Sequence, residues 1–127
     1  VGMREMLLGI LETYFRQHTD KIILLPNGPK YGWFTDLYGM DIVGRQARKS
    51  KVMKEFPDSK NDDIADCKGM IASYEYMKSE YFWTKTQIDL HNKLLKEDSN
   101  YSPNKTTKEL IKQYTQFINK YKDRYDI

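Results

Sequence analysis

The chain has 127 residues, 39% of them hydrophobic and 31% charged, with a formal net charge of +3 and a mean hydropathy of −0.77. That length suits a single helical domain over 1–127 with a thin, aromatic core, and no run approaches the ~20 apolar residues of a membrane span. Cys67 is the only cysteine, which excludes an intramolecular disulfide. A lone thiol in a reducing compartment, with neither a basic n-region nor a long apolar h-region at the start, makes cytoplasm the expected location.

The first element reads as an amphipathic core helix from Arg4 to about His18. Met3, Met6, Leu7, Ile10, Leu11, Tyr14 and Phe15 share one face. Gly9 weakens it by roughly 1 kcal/mol relative to Ala and suggests a close crossing with the long helix read at 61–97. Residues 21–34 then hold two β-prone pieces around Pro26-Asn27-Gly28-Pro29. A short β-hairpin and an irregular apolar segment both fit, since periodicity alone does not separate them. Thr35-Asp36 resembles a helix start, with Leu37, Met40, Val43 and Ala47 at core spacing. The stretch from 44 to 60 turns basic, with six basic residues against two acidic ones.

The dominant element is 61–97, which contains no proline and a single glycine, Gly69. It reads as one helix roughly 50 Å long, the spine of a mainly α, small helical bundle. Its main ridge is Ile64, Cys67, Ile71, Tyr74, Met77, Tyr81, Thr84, Ile88, His91 and Leu95, close to a coiled-coil seam. Cys67 on that seam is expected to be a small buried hydrophobe, and His91 a satisfied core or boundary histidine. After a loop at 98–104, Thr106 and Glu109 form a capping-box pattern that opens a final helix at about 107–124, paired antiparallel with the spine. In the expected register Ile88 lies near Tyr114 and Ile118, Leu95 near Leu110 and Ile111, and Tyr81 near Tyr121 or Tyr125.

Candidate chemistry is sparse. Asp62, Asp63 and Asp66 suit the positive end of a helix dipole better than a metal, having no His or second acidic cluster beside them. Cys67 and His91 are too far apart along one continuous helix to act as a nucleophile and base. Gly28-Pro29-Lys30 and Lys49-Ser50 lack phosphate-loop spacing, and Asn104-Lys105-Thr106 is a glycosylation sequon short enough to occur by chance. No catalytic residues, metal or cofactor are therefore assigned, and an enzyme is the least supported class.

Two surfaces carry the functional expectations. The aromatic residues Tyr76 and Trp83, which share a side of the spine, with Tyr31 and Trp33, point to a small non-enzymatic protein-interaction module: an adaptor, inhibitor or subunit whose partner is another protein or a second copy. The alternative is a nucleic-acid-binding accessory or regulatory protein using Arg45, Arg48, Lys49, Lys51 and Lys54 at 45–54. There the prevalence of Lys favours gripping phosphates over reading bases. The competing reading of those cations is a solvated helix end. No membrane partner is expected.

Overall fold

The computed structural model describes residues 2–17, 22–25, 32–39, 44–125 and 127, without the side chain of Arg4. Five helices lie among them: α1 (Met3–Phe15), α2 (Trp33–Tyr38), α3 (Arg45–Glu55), α4 (Asp62–Glu97) and α5 (Lys105–Tyr121). The molecule is mainly helical, and the spine exists as read. Asn61 caps α4 by accepting from the Ile64 N–H at 3.0 Å, Asp62 and Asp63 occupy the first turn, and Lys96 lies in the last.

The stripe that α4 buries is not the ridge expected over its N-terminal half. Ala65, Gly69, Ser73 and Met77 face inward, followed by Tyr81 and Thr84, while Ile64, Cys67 and Ile71 are exposed. Small side chains at four-residue spacing let a neighbouring helix approach the α4 backbone, and α2 does so. Its Trp33 ring lies over Gly69, where an added Cβ would sit 2.5 Å from Cζ3. Trp33, Phe34, Val52 and Ala65 form the core where α2, α3 and α4 meet, with Leu37, Phe56 and Met70 packed around them. Large apolar residues look like the core in a linear pattern, but close packing around a Trp needed the small ones.

Residues 33 and 34 therefore begin a helix rather than end a β-hairpin. That helix stops at Gly39, which takes a left-handed φ of 70°. Residues 22–25 carry no regular secondary structure, no strand occurs among the described residues, and the 26–31 part of the hairpin reading lies outside them. Met40 and Val43 also lie outside, and Ala47 is exposed on α3.

α5 packs against α4 in the opposite direction. Trp83 meets Tyr114 edge-to-face at 5.7 Å between ring centroids, and Tyr74 lies 6.3 Å from Tyr125. This register is shifted by more than a turn from the expected one, bringing Tyr114 beside Trp83 instead of Ile88. The loop accounts for the shift. It runs back along α4 before α5 starts, pinned where His91 Nδ1 and the Tyr101 hydroxyl share a hydrogen bond of 3.0 Å. Leu95 is consequently half exposed, whereas Ile88, Ile111 and Ile118 are half-buried. The α5 cap is Asn104, accepting from the Thr107 N–H at 2.8 Å, rather than the Thr106 capping box.

The largest departure is α1. It has the expected amphipathic pattern yet packs against none of the other helices, and a Cβ on Gly9 would meet nothing within 4 Å. Seven of its large apolar residues are solvent-exposed, from Phe15 at 41% to Met3 at 74%, while Leu8 is half-buried. The core cluster that α2 and α3 build on α4 contains no residue of α1. No helix among the described residues is long and apolar enough to cross a membrane.

Candidate functional site

The 3.6-residue period of α1 gathers Met3, Met6, Leu7, Ile10, Leu11 and Tyr14 onto one face, with Phe15 beside Tyr14 edge-to-face at 5.0 Å. Glu5, Glu12 and Arg16 lie off that face, with Glu12 and Arg16 within 3.8 Å of each other. A second apolar surface lies on α4, where Cys67, Met70, Ile71 and Tyr74 form a groove with Ile23 and Leu25 of the segment 22–25. Its volume is about 380 Å³. Cys67 and Ile71 of this groove were expected inside the protein and are exposed, because the Ala65-Gly69-Ser73 stripe is the one that α2 covers.

Of the aromatic residues expected to meet a partner, Tyr76 is 46% exposed and Trp83 51% exposed. Both stand beside α5. Trp83 rests on Tyr114, and Tyr76 lines a cleft of about 280 Å³ with Thr35, Glu80, Phe117 and Tyr121. Trp33 is buried at 2% in the α2–α4 contact, so it belongs to the core and not to that surface. Tyr31 lies outside the described residues.

The basic residues of 45–54 fall on α3, and several are engaged locally. The Arg48 guanidinium sits 4.8 Å from the Phe34 ring centroid, Lys49 is 3.8 Å from Asp62, and Lys51 is 3.1 Å from Glu55 and 5.0 Å from the Tyr38 ring centroid. Arg45 and Lys54 are exposed. These contacts fasten α3 to α2 and to the start of α4. Burial, then the neighbouring Asp62 carboxylate, pushes the Asp66 carboxyl above the usual carboxylate range. Among the described residues no group of three or more His, Cys, Asp or Glu is placed to hold a metal ion.

A largely buried polar cluster was not visible in the sequence. The Asp36 side chain is 6% exposed and accepts from the Tyr121 hydroxyl at 3.3 Å and from the Tyr125 hydroxyl. Arg124 Nη2 stands 3.0 Å from Asp36 Oδ2, an ion pair by distance rather than an aligned hydrogen bond, and its guanidinium lies 5.3 Å from the centroids of both tyrosine rings. Burial, then the hydrogen bond to Asp36, pushes the Tyr125 phenol up, and burial with the Asp36 charge does the same to Tyr121. With its carboxylate already bonded to two phenols and facing a cation, the cluster works as a clasp between α2 and the end of the chain. No local motif announces an interaction spanning 85 to 89 residues of sequence. Comparison with protein-family models, curated proteins and solved structures gives no match.

Proposed function

We propose that the chain is a non-enzymatic protein-interaction module, a single helical domain whose α2–α5 body presents α1 to a partner. The observation that carries this reading is the exposed apolar face of α1. Seven large side chains on a 13-residue helix are exposed, with none of the other described helices packed against it. An isolated helix of that length is marginal in water, so an apolar face of this kind gains its stability from whatever covers it. Helix-in-groove recognition uses this i, i+3, i+4, i+7 arrangement of anchors. Tyr76 and Trp83, half exposed beside α5, supply a second area of the kind that partners use, with aromatic body and polar edge. Arg48, Lys49 and Lys51 of α3 are engaged by Asp62, Glu55 and the rings of Phe34 and Tyr38, which leaves them less available as a phosphate grip.

Affinity capture with wild type, Leu7→Glu/Ile10→Glu and Tyr76→Ala/Trp83→Ala as parallel baits tests the proposal. A partner retained by wild type and lost with the α1 variant, at unchanged helicity and melting temperature, is the expected outcome. A melting temperature that collapses in the α1 variant shows instead that α1 is part of the core.

A further inference from the structure

We infer that the partner of α1 is a second copy of this chain, whose Ile23–Leu25–Met70–Ile71–Tyr74 groove receives the helix while its own α1 enters the groove of the first. The inference rests on the reading of α1 as an interaction element and adds the identity of what it meets. Each chain carries both halves of a contact: a helix on which Met3, Met6, Leu7, Ile10 and Leu11 are exposed, and an apolar groove of about 380 Å³ beside which Ile64 and Ile71 are 40% and 65% exposed. Reciprocal exchange covers both surfaces on both copies with one two-fold operation and closes without leaving a sticky end.

The area agrees. Large side chains at 41–74% exposure on α1, joined by Ile22 and Leu24 at 39% and 54%, offer several hundred Å² per copy. A standard interface takes roughly 800 Å² from each partner, and the two faces of a reciprocal exchange approach that scale. Charge agrees as well. The acidic residues of α1, Glu5 and Glu12, stand two turns apart beside its apolar face, and Lys68 and Lys78 are exposed on α4 next to the groove residues Cys67, Ile71 and Tyr74, with Glu75 also exposed between them in sequence. Lys78 Nζ already reaches over the Tyr74 ring, 5.7 Å from its centroid, at the end of the groove. The complementarity favours docked helices over stacked like charges.

Sedimentation equilibrium of the full chain, with Leu7→Glu on the helix and Ile71→Glu in the groove, tests the exchange. Both positions are exposed, so both variants are expected to keep the wild-type melting curve. Wild type is expected to dimerise as concentration rises, and each variant alone to dissociate about tenfold or more readily, as loss of an interface anchor does. Mixing the two variants is expected to restore part of the association, because the intact helix of one meets the intact groove of the other. A mixture no better than its components, or an Ile71→Glu variant that dimerises like wild type, overturns the groove as the receptor. Wild type that is monomeric throughout overturns the second copy as partner while leaving α1 available to a different protein. A disulfide between Ile10→Cys and Cys67 distinguishes the remaining case: a covalent dimer, absent when Cys67→Ala is added, supports exchange, whereas an intrachain bond at monomer mass places α1 on its own groove and overturns both the exchange and the interaction reading.

Discussion

Trp33 fills the space that Gly69 leaves on α4, with its ring 2.5 Å from where a Cβ would stand. Gly69→Ala gains roughly 1 kcal/mol of helix propensity, but overpacking against a fixed, 2%-exposed indole costs about 1–3 kcal/mol, and the steric term is expected to win. Thermal melting checks it. Gly69→Ala should lower the midpoint, and Trp33→Leu added to it should cost less than the two changes summed, as residues in contact do. A Gly69→Ala variant more stable than wild type would mean that α2 does not lie against α4 here.

The Asp36 clasp carries a second expectation. Removing the carboxylate leaves Arg124 facing two phenols without its counter-ion, and breaking a buried pair in this way costs about 3–5 kcal/mol. Asp36→Ala should therefore be strongly destabilising, while Asp36→Ala with Arg124→Met should recover part of the loss. Urea denaturation of the single and double variants measures the coupling.

The clasp also sets a pH dependence. Tyr121 and Tyr125 both have their phenols pushed above the ordinary value of 10.0, chiefly by burial. A raised folded-state pKa means that the unfolded chain releases these protons first. Their contribution is thus complete below pH 10.0 and is lost as pH rises above it toward the folded values. Melting temperature measured from pH 8 to 12 should fall at the alkaline end, and Tyr125→Phe should flatten the fall. An unaltered slope in Tyr125→Phe would show that its phenol does not ionise on unfolding.

Met77 and Leu7 separate core from surface. Met77 is 4% exposed on the buried stripe of α4, and Met77→Ala should cost about 2–5 kcal/mol, whereas Leu7→Ser, at a site 50% exposed, should stay within about 0.5 kcal/mol. Denaturation at protein concentrations too low for association gives both values.

Much of this architecture was legible in the residues. An uninterrupted helical period and an acidic first turn mark α4, and His91 is satisfied by Tyr101 as its boundary position suggests. The errors share a cause. Hydrophobic period tells which residues of a helix gather on one face, but not whether another element covers that face. The same pattern that places Met77 and Tyr81 inside leaves Ile71 and all of the α1 face outside. The position of Trp33 in the core depended on small residues at 65, 69 and 73, which carry little weight in an apolar pattern but govern how near two backbones come. The clasp of Asp36 with Arg124 and Tyr125 joins residues too distant in sequence for any local signal.

The claim that α1 stands outside the core and is covered only by association is tested most directly by hydrogen exchange of residues 3–15 over a range of protein concentration, in wild type and in Leu7→Glu/Ile10→Glu. Unsupported, a helix this short exchanges almost freely, while the buried stripe from Ala65 to Thr84 is protected up to global unfolding. The expected result is α1 protection that grows with wild-type concentration and is absent from the variant at every concentration, with α4 protected in both. Protection of α1 that is strong and independent of concentration down to the most dilute sample would contradict it, because α1 would then be held by its own chain.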